Sequence, residues 1–165
     1  GNGYVGLASL KPERAHTLSA TLDWHGADGR WGMKVTPYLT QVADYIDAMA
    51  RPGWVAGKFN VLSYANQSAR IVGADLSGHL ALHATRWGSW RVDALLNLTH
   101  GENRDSGGAL ADTNKFRSAT VGVYHSLNKY ITLVGEYNQE RGDGDDLFAG
   151  DLKTRTISLG GIIMF

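Results

Sequence analysis

Apolar and polar side chains alternate residue by residue along most of the chain, as in strands whose two faces meet different surroundings. From Leu18 the even positions Leu18, Ala20, Leu22 and Trp24 are apolar, with Thr17, Ser19, Thr21, Asp23 and His25 between them. The odd positions take over at Trp31: Met33, Val35, Pro37 and Leu39 follow it, set against Lys34, Thr36, Tyr38 and Thr40. A third run opposes Val72, Ala74, Leu76, Leu80 and Leu82 to Asp75, Ser77, His79 and His83. The fourth opposes Trp90, Val92, Ala94, Leu96 and Leu98 to Arg91, Asp93, Asn97 and Thr99, with Leu95 out of pattern. Ala119, Val121 and Val123 make a fifth run, and Ile131, Leu133 and Tyr137 a sixth. Ile157, Leu159, Gly161, Ile163 and Phe165 make the last. The pattern predicts seven strands, and residues 3–10 a short eighth.

The connections between these runs alternate in length. Those at 26–29, 85–88 and 126–128 are short and polar; those at 48–57, 101–113 and 141–150 are long and rich in Gly and charge. A soluble meander has no reason to keep its long loops at one end, whereas an outer-membrane barrel has short turns on one side and long loops on the other. Trp24, Trp31, Trp87, Trp90, Tyr130 and Phe165 fall near the short turns; Tyr45, Trp54, Phe59, Tyr64 and Phe116 fall toward the long loops. Amphipathic rings at both edges of an apolar band suit a bilayer interface. Alternation alone also fits a soluble sandwich or lipocalin-like barrel. Loop alternation, paired aromatics and the final Phe165 select the membrane.

Composition narrows this only in part. No window approaches the roughly 20 apolar residues of a membrane helix, which leaves strands as the means of crossing. The 16 basic residues balance 16 acidic ones, against the basic surface of a nucleic-acid-binding domain. The absence of Cys removes disulfides, thiolate metal sites and a cysteine nucleophile. At 165 residues a single domain over 1–165 is expected. The Gly1-Asn2-Gly3 start lacks the regions of a signal peptide, as in a processed chain or a piece of a longer one.

Seven strands and an eighth at the N-terminus would close an eight-stranded barrel, whose interior side chains fill. Otherwise the chain is a barrel segment that needs partner strands, because unpaired backbone groups in lipid cost several kcal/mol each. Candidate chemistry lies on the polar face. Imidazole and carboxylate suit copper or zinc, which singles out His79, His83 and Asp75. The two histidines stand about 13 Å apart at a strand's rise, so a site needs help from a neighbouring strand. Lys34, Arg91 and Asp93 read as a charge network in a narrow barrel and as a selectivity ring in a wide one. The acidic stretch around Asp143, Asp145, Asp146 and Asp151 lacks EF-hand spacing and reads as a solvated loop. No nucleophile elbow, zincin motif or phosphate-cradling loop is present, and no enzyme is expected.

The stretches LKPERAHTLSATLDWHG (10–26), TPYLTQVADYIDA (36–48) and YANQSARIVGADLSGHLAL (64–82) resemble, in order, the barrel of TonB-dependent outer-membrane receptors. With HGENRDSGGAL (100–110) they are most similar to the copper-receptor subgroup. From 111 onward the chain is similar to the closing strands of a general Gram-negative porin, which gives a chimeric appearance with a junction near 107–113. The division is thus 1–110 receptor-like and 111–165 porin-like. The receptor resemblance implies the outer membrane of a Gram-negative bacterium and uptake of a metal or metal chelate. Copper or another transition metal is then cargo, with no resident cofactor. It also implies a plug domain and a TonB box, which these residues do not include, so TonB is a partner only through a plug elsewhere. Ile157, Leu159, Ile163 and Phe165 resemble the terminal signal read by the outer-membrane assembly machinery. Passive diffusion through a porin is the second functional expectation, and a small closed barrel with a structural or adhesive role is the third.

Overall fold

The computed structural model describes residues 3–5, 9–56, 59–105, 113–144 and 152–165, with side chains over 9–47, 63–105, 115–143 and 152–165. They form nine strands: β1 (Gly3–Val5), β2 (Arg14–Ser19), β3 (Leu22–His25), β4 (Trp31–Ala56), β5 (Phe59–Ala81), β6 (Ser89–Asn103), β7 (Thr113–Ser126), β8 (Ile131–Gly144) and β9 (Leu152–Ile163). One sheet holds all of them in the order β2-β4-β5-β6-β7-β8-β9, with β3 also on β4 and β1 on β5. Every pairing is antiparallel except β1 with β5.

The predicted alternation is observed, and register carries it across the sheet. Met33 faces Gly78, Gly78 faces Ala94, Ala94 faces Val121, Val121 faces Tyr137 and Tyr137 faces Ile157. One residue along, Lys34, Ser77, Leu95, Thr120, Asn138 and Thr156 oppose one another in the same way. Apolar residues thus share one face and polar residues the other, with Leu95 an exception on the polar face. No second layer covers the apolar face among the described residues. Leu18 is 75% exposed and Leu159 86%, no described side chain is fully buried, and the buried polar residues are Gln67 and Thr132. A soluble sandwich would bury those leucines between two sheets. This sheet is the reverse of one.

Short turns gather at one end. Gly29, at a φ of 66°, closes the first by donating to the Gly26 carbonyl, and Asp28 accepts from the Arg30 N–H. Asn128 closes the third by accepting from the backbone of Tyr130 and Ile131.

Three sequence expectations are corrected. Residues 48–56 are strand rather than loop: β4 and β5 continue as a long hairpin, of 26 and 23 residues. The alternation loses phase there because the register shifts between Val42 and Tyr45 and again between Ala50 and Val55. Asp44, with a φ of 59°, forms the first irregularity, and Pro52 falls within the second. Among the described residues the N-terminal strand is Gly3–Val5, and it runs parallel to β5 instead of joining β9. No pairing joins β2 or β3 to β9 among the described residues, so the eight-stranded closure does not form and the sheet is an open barrel segment. Finally, β5 ends at Ala81, leaving His83 in the turn beyond the strand that was expected to carry it.

β2 and β3 follow one register along β4 and are separated only opposite Pro37 and Thr36. Ala20 donates its N–H to the Pro37 carbonyl at 3.2 Å, but proline has no N–H to return. A residue's N–H and C=O point to the same side of a strand, so the loss falls on the outer pair and spares the β4–β5 ladder. The hydroxyls of Thr21 and Thr36 bridge the gap at 3.0 Å, and those of Thr17 and Thr40 meet at 2.8 Å within the paired β2.

The LKPE segment has a definite task. Lys11 donates its backbone N–H to Asn66 Oδ1 at 2.8 Å, and Asn66 Nδ2 donates to the carbonyls of Lys11 at 3.0 Å and Asp44 at 2.7 Å. Glu13 accepts the Ile46 N–H at 2.7 Å, and Arg14 pairs with Asp44 at 3.2 Å. The chain leading into β2 is therefore fastened to the bulge of β4 and to β5 beyond it. Replacing Asn66 with Ala strips a partner from three backbone groups and should lower stability by about 1–3 kcal/mol, read as a lower urea midpoint. An unchanged midpoint would show the clamp to be dispensable.

Candidate functional site

The polar face bears an open groove of about 480 Å³ near the short-turn end, lined by Asp23, His25, Lys34, His79, Arg91 and Asp93 among others. Four adjacent strands supply these groups. From β3, Asp23 meets Lys34 Nζ of β4 at 3.5 Å and His25 Nδ1 at 3.9 Å. From β6, Asp93 accepts from Arg91 Nε at 2.6 Å. His79 of β5 stands in register between Gly32 and Asp93. Its ring lies over Gly32 so closely that a Cβ there would come within 2.6 Å of its Cε1. Tyr38 covers Gly73 in the same manner and hydrogen-bonds Thr99 Oγ1 at 2.7 Å. Rings thus lie flat along the wall where the neighbouring strand has no side chain.

Beyond the groove the polar belt continues: Tyr124 donates to Glu136 at 3.1 Å on β7 and β8, and Asp75 accepts from Asn97. The expected charges Lys34, Arg91 and Asp93 are brought together. Asp23 and His25 join them, although the sequence reading placed those two only as polar positions, since pairing across β3 and β4 is not visible in alternation. Both partners of the Lys34–Asp23 pair are more than half exposed, so the groups are accessible to a solute on this face.

The expected metal set is not gathered. Asp75 is engaged by Asn97, His79 lies over Gly32, and His83 faces the Arg30 guanidinium, whose nitrogens lie 2.9 and 3.2 Å from its ring. Among the described residues no cluster of three His, Asp or Glu side chains could hold a metal ion. Asp145, Asp146 and Asp151 of the acidic stretch lie outside the described residues.

Aromatics also stand at the short-turn end. Trp24 and Trp31 share the apolar face with Met33 and Leu80. Trp90 stacks on His125 at 3.9 Å between ring centres. Arg86 lies 4.8 Å over Trp87 and Lys129 lies 4.7 Å over Tyr130. Toward the long loops the expectation is corrected for two of the five rings. Phe116 opposes Thr99, and Tyr45 opposes Gln67, which places both on the polar face, where they line a second groove. Tyr137, one position short of Gln139 on the apolar face, stands at the upper edge of the band instead. The side chains of Trp54 and Phe59 lie outside the described residues. Ile157, Leu159, Ile163 and Phe165 are all exposed on or just past β9.

The TonB-dependent receptor-like β-barrel family model matches residues 1–156. The chain belongs to this family. No curated protein and no solved structure matches it. The family match crosses residues 107–113 without a break and takes in β7, β8 and the start of β9, so it covers most of the stretch that resembles a porin. Across the same point β6 and β7 pair continuously from Ser89–Ser126 to Glu102–Thr113. The open sheet is therefore a segment of a TonB-dependent receptor-type barrel, and its polar groove lies on the wall of that barrel.

Because the groove's ion pairs are exposed, they should add little to stability. A double-mutant cycle on Asp23→Asn and Lys34→Gln should give a coupling of about 0.2–1 kcal/mol in urea unfolding. A coupling well above this range would make the pair structural.

Proposed function

We propose that the chain forms part of the wall of an outer-membrane transport barrel of a Gram-negative bacterium, serving uptake of a metal or metal chelate. The observation that carries this reading is the inverted sheet: apolar side chains exposed on one face, and a half-buried polar belt with charges of both signs on the other. Water rejects the first face, and a bilayer accepts it. A sheet open at β2, β3 and β9 must meet further strands in lipid, which gives a lumen wider than eight strands enclose. In a wide lumen, Lys34, Arg91 and Asp93 act as a charged lining, as rings of charge do in channels. His25 and His79 add imidazoles to that lining, which suits weak, transient contact with a metal complex passing through better than a resident ion. TonB acts on such a barrel through a plug, and Phe165 with the apolar face of β9 presents the chain to the assembly machinery.

Two substitutions on neighbouring residues test the orientation. Leu159→Arg puts a charge on the apolar face and should cost about 2–4 kcal/mol near mid-bilayer, seen as loss of urea-resistant membrane insertion. Ser158→Arg points to the polar face and should insert normally. Equal behaviour of the two would overturn the reading. For the cargo, calorimetric titration of the inserted full-length receptor with Cu(II) and Zn(II) should show saturable heat that His79→Ala weakens. Absence of any heat that depends on His79 with either ion removes this groove as a point of contact for the metal.

A further inference from the structure

Leu95 breaks the alternation of β6. It stands on the polar face between Asp93 and Asn97, and it is 58% exposed. At its height the polar face otherwise carries Lys34, Ser77, Thr120, Asn138 and Thr156. Lipid lies on the other side of the wall and does not reach it. A leucine pointed at water forgoes hydrophobic free energy, which a serine at this position would not. Yet the polar surface toward the short turns is arranged around it. The groove of about 480 Å³ includes Leu95, and an adjoining one of about 320 Å³, nearer the middle of the wall, shares Leu95, Lys34 and Ser77 with it.

The charged groups beside Leu95 are unequally satisfied. Asp93 has Arg91 Nε at 2.6 Å, and Asp23 has both Lys34 Nζ and the His25 ring within 4 Å. Arg91 spends only that Nε–H, and among the described residues its two terminal nitrogens make no hydrogen bond. Its side chain is more than half exposed, as is that of Lys34. Arg91 and Leu95 lie four residues apart on one face, about 13 Å along the strand, and Lys34 stands in line with Leu95 through Ser77. A hydrated metal ion offers a leucine nothing to recognise, and no described cluster is built to replace its water. An organic ligand around the metal does. We propose that this groove selects a metal chelate whose organic part carries both a carboxylate and an apolar ring or chain. The carboxylate lies on the terminal nitrogens of Arg91, whose planar fork takes it bidentately. The apolar part lies on Leu95 and covers it from water. Leu95 is then a specificity-determining contact, and its place out of phase has a use.

The inference rests on the uptake reading above, and its test separates the two. The full-length receptor in phosphatidylcholine nanodiscs is titrated calorimetrically with two probes. One is the ethylenediaminetetraacetate chelate of Cu(II); the other is the same chelate with a benzyl group on its carbon backbone. Both enclose the metal, so histidines elsewhere do not ligate it, and they differ only in the apolar ring. The wild type should hold the benzyl chelate about tenfold more tightly than the plain one. Leu95→Ser should remove that preference and leave the affinity for the plain chelate unchanged. Arg91→Gln should weaken both by about tenfold. Leu96→Ser, next along β6 on the outer face, should change neither. Because Leu95→Ser restores the polar phase of the strand, its urea midpoint should be no lower than that of the wild type. A lower midpoint makes Leu95 a packing residue and overturns the proposal. Equal affinity of the wild type for the two chelates overturns it as well, as does a benzyl preference that survives Leu95→Ser or binding that Arg91→Gln leaves intact. In each of these cases the uptake reading stands. Absence of saturable heat with either chelate instead removes the groove as a contact for cargo, and the proposal falls with it.

Discussion

Backbone pairing is the constraint on which everything else here depends. The sheet has no hydrophobic core to hold it, and no described side chain is fully buried. What remains is the ladder, unbroken from β4 through β9, and the surroundings that each face demands. In water such a sheet would collapse or aggregate on its apolar face. In lipid that face is satisfied, and the cost of an unpaired N–H or C=O becomes so high that the ladder is hard to open. The same medium that makes the apolar exposure tolerable makes the pairing durable.

A ladder that cannot slip also fixes what lies opposite what. One register places Asp23 beside Lys34 and His79 beside Asp93, and so assembles a groove from four strands. The same register, one residue out of phase, aligns Arg117, Arg141 and Lys153 on the outside. Solute-facing and lipid-facing chemistry are thus two readings of one hydrogen-bond pattern. A slip by one residue would exchange them, carrying charge into lipid and leucine into the lumen. Small devices guard against it. The Asn66 and Glu13 contacts hold the start of β2 to the bulge at Asp44, and the rings of Tyr38 and His79 lie in the spaces above Gly73 and Gly32.

Much of the fold was legible because period-two alternation is a local signal, carried without interruption by the run at 31–39 and broken only at Leu95 in the run at 90–98. It became illegible where a bulge changed its phase. After Asp44 the apolar positions no longer keep step with those before it, and Pro52 with Gly53 imitates a turn, so a long hairpin read as a loop. The belt at Lys34, Arg91 and Asp93 was legible for the same local reason. Its partners Asp23 and His25, the turn position of His83, and the row formed by Arg117, Arg141 and Lys153 were not. Each depends on which residue of the next strand stands opposite, or on where a strand stops, and neither can be read from one run alone. Tyr45 and Phe116 show the limit of position without phase: both lie at the expected height, on the unexpected face.

The missing N–H of Pro37 gives the wall a seam. From β5 to β9 among the described residues the pairings run without a register shift, and β4 keeps one register with β5 from Trp31 to Val42. On the outer side of β4 the ladder is divided into a six-residue piece and a four-residue piece, with the Thr21 and Thr36 hydroxyls spanning the division. Separation there proceeds in two short stages, each held by few bonds, while the inner neighbour β5 stays attached throughout. The placement of one proline thus makes the border of β4 with β2 and β3 easier to part than its border with β5.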